Sequence, residues 1–103
     1  MSREIQFGGF DWDDGNREKC RKHGIPPEVI EELFGRVMAI APDPFQHEQR
    51  FRAIGRTVDG RAIFLVFTVR TRDDAHLIRP ISARFMHRRE IRAYEEANPH
   101  IRE

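Results

Sequence analysis

The stretch Ala62-Ile63-Phe64-Leu65-Val66-Phe67-Thr68-Val69 is apolar at odd and even positions alike, and it follows Asp59-Gly60 with only Arg61 between. A short run that is apolar on both faces predicts a strand covered on both sides, at the centre of a sheet. Asp-Gly before such a run is the strongest hairpin signal in the sequence. Residues 49–58 therefore read as an antiparallel partner strand. If that strand is regular, Arg50, Arg52, Ile54 and Arg56 share one face, and Phe51, Ala53 and Gly55 share the other.

The rest of the chain fits around this hairpin. Ile5 to Phe10 reads as a short strand with a glycine break, leading to the aromatic anchor Trp12. Asp13 is a natural N-cap, with Asp14 and Glu18 near the positive end of a helix that runs to about Lys22 and stops at Gly24. The inward stripe of that helix would be Asn16, Cys20 and His23, a poor core face that suits the border of a site. Pro26-Pro27 opens a second helix, whose stripe of Val29, Ile30, Leu33 and Phe34 has clear helical spacing and which ends at Gly35. Val37 to Ala41 reads as a strand, followed by Pro42-Asp43-Pro44 and a polar loop holding His47 and Glu48. Arg70 to Ala75 reads as a charged turn, His76 to Ala83 as a strand, and Met86 to Asn98 as a last helix. Pro80 cannot donate to a ladder, so it implies an edge, a strand end or a bulge. The expected architecture is an α+β two-layer domain, an antiparallel sheet of about four to five strands packed with about three helices. One domain over residues 1–103, with a core of about 5–98, is expected from the length.

Charge narrows the function. The chain has 18 Lys and Arg against 17 Asp and Glu, a formal net charge of +1 that argues against a generic polycation. Only Lys19 and Lys22 are lysines, so the cations are overwhelmingly arginines. Residues 1–48 hold 6 cations and 10 carboxylates, whereas residues 49–103 hold 12 arginines and 7 carboxylates. Arginine presents a planar fork of donors that matches phosphate, with a charge that does not titrate away. A single cysteine, Cys20, excludes an internal disulfide and fits a reducing cytoplasm. No secretory signal and no membrane span are expected.

The chemistry-bearing residues form an arginine, histidine and carboxylate set. The five histidines, at 23, 47, 76, 87 and 100, are scattered, and no paired-cysteine or HExxH spacing occurs, so neither a metal nor another cofactor is called for. No nucleophile elbow or P-loop occurs. Cys20 lacks an identifiable base and reads as structural. Such a set can cleave RNA without metal. The 2′-hydroxyl of RNA is the nucleophile, arginines stabilise the charge that builds on the phosphate, and a His or Glu moves the protons. The same arginines also suit a non-catalytic interaction module that docks an acidic partner segment or nucleic acid.

Five short motifs in order resemble the BrnT family of type II toxins: Phe10-Asp11-Trp12-Asp13; Lys22-His23-Gly24; Arg50-Phe51-Arg52-Ala53-Ile54-Gly55; Ile81-Ser82-Ala83-Arg84; and Arg88-Arg89-Glu90 with Tyr94-Glu95-Glu96. The resemblance spans about residues 10–96 and implies a RelE-like fold and an endoribonuclease that blocks translation. It also implies a cognate ribbon-helix-helix antitoxin of the BrnA type. The toxin would then meet operator DNA only indirectly, through that antitoxin, and a homodimer is left open. Pro80 departs from the family pattern, which has an ordinary strand residue before Ile-Ser-Ala-Arg. On this reading Arg84, His23, Arg52 and Glu48 are the catalytic candidates. Lys22, Arg50, Arg56, His87, Arg88 and Tyr94 are the RNA-binding candidates.

Overall fold

The computed structural model describes residues 7–36, 38–44 and 47–97. Expectations placed on Ile5, Gln6, Val37, Asn98 and His100 lie outside these residues. The chain runs β1 (Phe7–Phe10), α1 (Asp14–Lys22), α2 (Pro27–Leu33), β2 (Met38–Asp43), β3 (Arg50–Arg56), β4 (Ala62–Arg72), β5 (Ala75–Phe85) and α3 (Arg88–Ala97). The five strands form one sheet in the order β1-β5-β4-β3-β2, which puts the doubly apolar β4 at its centre. All neighbours pair antiparallel except β1, which runs parallel to β5 along one edge.

Sheet and helices meet in a core of Cys20, Ile25, Ile30 and Leu33 from the helical segment and Ala53, Ile63, Leu65, Phe67, Ile78 and Ala83 from the strands. Phe34 packs edge-on against both Phe10 and Phe67, linking β1, the end of α2 and the central strand. Burying each large apolar side chain stabilises the fold by roughly 1.5–3 kcal/mol. α3 differs from α1 and α2 in having no buried residue. Its half-buried positions are Glu90, Ile91, Tyr94 and Glu95, so it borders the sheet through carboxylates as much as through apolar groups.

The caps follow their physical cues. The Asp13 side chain accepts from the Asn16 backbone N–H at 3.0 Å, and Asn16 Oδ1 accepts from the Asp13 N–H at 2.7 Å. Gly24 ends α1 at φ 81°, a left-handed conformation that costs glycine nothing. Gly60 takes φ 87° in the β3–β4 turn, where its N–H donates to the Thr57 carbonyl at 2.9 Å.

Three expectations change. The charged stretch from Arg70 to Ala75 is mostly strand. β4 and β5 pair out to Arg72 and Ala75, and the turn is only Asp73-Asp74, at φ 50° and 66°. Both residues being left-handed is the signature of a type I′ hairpin, which Asp tolerates better than most residues. The last helix starts at Arg88, because β5 continues through Arg84 and Phe85. His23 does not continue the buried stripe. It is the exposed C-cap of α1, and its backbone has already left helical geometry.

Pro80 sits at a bulge. It pairs with Phe67 while Ser82 pairs with the preceding residue Val66, so Ile81 is an extra residue in β5. The last pair of the β1 ladder is Phe10 with Ile78, and the Asp11 N–H just beyond it still donates to the Ile78 carbonyl at 2.8 Å. The Pro80 carbonyl accepts from Asn16 Nδ2 at 2.7 Å, and the same amide nitrogen donates to the Asp11 carbonyl at 3.0 Å. The buried amide of Asn16 thus ties α1 to the bulge.

Candidate nucleic-acid interface

The three inner strands carry seven arginines: Arg50, Arg52 and Arg56 on β3, Arg70 and Arg72 on β4, and Arg79 and Arg84 on β5. Strand alternation and register put all seven on the side away from the core. Arg52 lies opposite Val66, Arg56 opposite Ala62, Arg79 opposite Thr68, and Arg84 opposite Phe64, which itself faces Ile54. Directly opposite residues in an antiparallel pair project to the same face. The alternate positions, Ala53, Ile63, Leu65, Phe67 and Ala83, fill the core instead.

Each of these arginines meets a carboxylate supplied by the margins of the sheet. Arg52 pairs with Asp43 at 2.7 Å and Arg56 with Glu95 at 2.8 Å. Arg72 reaches Asp11 at 3.3 Å, and Arg79 reaches Asp11 at 3.6 Å and Asp13 at 2.8 Å. Glu48 stands between Arg50 and Arg70, at 3.4 and 3.3 Å. Arg84 forms a two-pronged pair with Glu90, Nη1 to Oε1 at 2.9 Å and Nη2 to Oε2 at 2.8 Å, with its guanidinium 5.1 Å from the centre of the Phe64 ring. The same Oε1 accepts from the His87 backbone N–H at 2.8 Å, so Glu90 also secures the start of α3. Held first by the Arg84 side chain and then by the His87 N–H, the Glu90 carboxyl is pulled down to about 2.

The predicted residues fall into three places. Arg56 and Arg84 reach α3 through Glu95 and Glu90; His87 directly precedes that helix, Arg88 opens it, and Tyr94 lies half-buried on it, with its hydroxyl pKa raised by burial. Arg52 lies next along the same face. Glu48 and Arg50 lie at the opposite end of it, lining a groove of about 610 Å³ with Lys19, Arg70, Arg79 and the bulge residue Ile81. Four residues separate Arg50 from Ile54, which shares a row with Arg84, so the groove is about 13 Å along the sheet from Arg84 at the usual strand rise. Lys22 and His23 belong to neither group. They end α1 on the helix side, where a Cβ on neighbouring Gly24 would lie 4.0 Å from the Phe85 ring, and Phe85 packs against the core while Arg84 points the other way. The fold therefore does not gather Arg84, His23 and Glu48 at one point.

Sequence reasoning did not single out Arg70 or Arg79, and it placed Glu90 in the chemistry-bearing set without a role. Arg70 was hidden by the expected turn. Arg79 and Arg84 are five residues apart and would face opposite ways in a regular strand; the extra residue Ile81 restores them to one face. Glu90 stood within the Arg88-Arg89-Glu90 motif, three residues after His87, which is the spacing of a helix-capping carboxylate.

Burial raises the Cys20 thiol to about 11, which removes it as a nucleophile at neutral pH. Among the described residues no three His, Cys, Asp or Glu side chains are grouped to hold a metal. Also among the described residues, no helix is long and apolar enough to cross a membrane.

A helix-backed sheet that turns all its strand arginines to one face is an anion-engaging surface on a small α+β domain. The family model of the ribonuclease toxin BrnT, of type II toxin–antitoxin systems, matches residues 12–90. The match covers most of the chain, which thus belongs to the BrnT family of ribonuclease toxins. Membership brings RNA as substrate and an antitoxin as partner. A search of curated proteins gives no match.

Proposed function

We propose that this chain is a metal-independent endoribonuclease that lays RNA along its arginine face and cleaves it by attack of the 2′-hydroxyl on the adjacent phosphate, thereby inhibiting translation. The observation that carries the reading is the single-sided placement of the seven strand arginines. Their carboxylate partners act as place-holders. Exposed ion pairs are worth about 0–1 kcal/mol each, so a phosphate that accepts a bidentate guanidinium can displace them at little cost.

In this reading Arg84 stabilises the charge on the scissile phosphate, and Arg52 and Arg56 hold its neighbours. A base takes the 2′-hydroxyl proton, the oxygen attacks phosphorus, and the 5′-oxygen leaves with a proton from an acid, giving a cyclic phosphate and a 5′-hydroxyl. His87 is the better proton carrier than His23, because its backbone shares Glu90 Oε1 with the Arg84 guanidinium, whereas His23 ends α1 on the helix side. Lys22 and His23 are then peripheral contacts, Arg88 and Tyr94 flank the strand arginines, and Arg50 and Glu48 lie further along the bound strand.

Expression without an antitoxin should arrest growth, and purified protein should cleave RNA with EDTA present. Arg84→Ala should lose about 100- to 1000-fold in rate, the usual cost of removing one donor to developing charge. A folded Arg84→Ala variant with full toxicity refutes the assignment. Cleavage abolished by EDTA refutes metal independence. The neutralising partner is proposed to be a BrnA-like ribbon-helix-helix protein encoded alongside, acting in the cytoplasm. Co-expression of that neighbour should restore growth.

One observation favours a second reading. Every strand arginine already holds a carboxylate, so the face is equally suited to an acidic protein segment. Tight partner binding by a purified chain that leaves RNA intact would select that interaction module over the nuclease.

A further inference from the structure

The groove at the far end of the arginine face has two distinguishing features. Its cations come from four elements: Lys19 from α1, Arg50 from β3, Arg70 from β4 and Arg79 from β5. Its carboxylate is also loosely held. Glu48 bridges Arg50 and Arg70 at 3.4 and 3.3 Å, comparable to Asp11 between Arg72 and Arg79 at 3.3 and 3.6 Å, against 2.7–2.8 Å for the pairs of Arg52, Arg56 and Arg84. Charge-assisted N–H···O bonds normally close to about 2.7–2.9 Å. One small planar carboxylate spans two guanidiniums without contacting either closely. A tetrahedral phosphate, with more oxygens spread over a larger radius, fits that gap better.

The other acids of the groove limit what it takes. Asp13 is committed to the cap of α1 and to Arg79. Asp14 lies exposed at the helix side of the groove, so the site suits one phosphate rather than a polyanion trough.

We infer that this groove is a second phosphate subsite, in which Arg50, Arg70 and Lys19 grip the RNA backbone a few nucleotides from the phosphate at Arg84, and Glu48 is the group displaced. The inference rests on the RNA-cleaving reading of the face and extends it to Lys19 and Arg70. Arg79 acts there as a positioning residue, held by Asp11 and Asp13.

The test uses 2′-O-methyl oligoribonucleotides, which cannot be cleaved, of four and twelve nucleotides, with affinity followed by fluorescence anisotropy against salt. Wild type should bind the longer probe more tightly. Lys19→Gln with Arg70→Gln removes two phosphate contacts from solvent-exposed positions. It should lower the salt slope for the long probe by about 1.4, which is about 25-fold in affinity at 0.1 M relative to 1 M salt. Binding of the short probe should be unchanged, while Arg84→Gln should weaken both probes. Glu48→Gln should act in the opposite sense and tighten the long probe. Unchanged long-probe affinity in the double variant overturns the subsite, as does an equal loss on both probes or a Glu48→Gln variant that binds no better. Failure of wild type to bind either probe overturns the reading of the face itself.

Discussion

Asn16 offers a sharp test of how this fold positions its arginine face. Its buried side chain makes three hydrogen bonds: Oδ1 accepts from the Asp13 N–H at 2.7 Å, and Nδ2 donates to the Asp11 carbonyl at 3.0 Å and to the Pro80 carbonyl at 2.7 Å. Asn16→Ala removes all three and leaves two carbonyls without this donor. At about 1 kcal/mol net per bond, the expected loss is about 3 kcal/mol, a large share of the 5–15 kcal/mol typical of a domain. That corresponds to a fall of roughly 15 °C in Tm for a chain of this size. Asn16→Asp separates the two ends of the side chain. It keeps an acceptor for the Asp13 N–H but sets a carboxylate oxygen against two carbonyl oxygens, so at pH 7 it should cost more than Ala. Burial and those carbonyls raise the pKa of the introduced carboxyl above its unfolded value. The destabilisation should therefore shrink as pH falls from that raised value to the ordinary carboxylate one, as the protonated acid becomes a donor. Urea denaturation of both variants between pH 3 and 7 measures this. A loss below about 1 kcal/mol for Ala, or an Asp variant milder than Ala at neutral pH, would show that Asn16 does not hold α1 to the bulge.

Other outcomes follow from the same structure. The folded-state pKa of Glu90, about 2, lies below its unfolded value, so the stability it contributes is present above the unfolded pKa and is lost as pH falls through the folded one. An NMR titration of its carboxyl carbon should show a midpoint near 2, and a midpoint of 4 or above would mean that Arg84 is not held by Glu90 in solution. Cys20 should resist iodoacetamide in the native protein at pH 8 and react once unfolded; fast native labelling contradicts its burial. Gly60→Ala should cost about 1–2 kcal/mol by calorimetry, because its φ of 87° strains any Cβ although no heavy atom lies within 4 Å of it. A neutral effect there would mean that the turn changes type.

Local signals in the sequence carry the elements that depend on local physics. The Asp13 cap, the stop at Gly24, the stripe of α2 and the Asp59-Gly60 hairpin each depend on a few neighbouring residues, and each forms as its chemistry dictates. The central position of Ala62–Val69 follows from its being apolar on both faces. The turn expected over Arg70 to Ala75 narrows to Asp73-Asp74, because its width depends on the strands pairing right up to it, which no local apolar pattern marks. Asn16 and His23 looked alike on a helical wheel. Only the approach of the β5 bulge buries the amide of one, and only the end of the helix exposes the other.

The candidate site divides along the same line. Alternation in β3 places Arg50, Arg52 and Arg56 on one face whatever the rest of the chain does. That Arg79 and Arg84 join them depends on one extra residue, Ile81, and Arg70 joins because β4 outruns its apolar stretch. Residue type and strand period are properties of the chain, so the sequence by itself determined the sheet, the hairpins and an arginine-rich second half. Strand register, the bulge and the packing of α3 arise from contacts between segments far apart in sequence. They alone decided that the strand arginines share one face, which carboxylate each one holds, and that His23 and Glu48 do not meet Arg84.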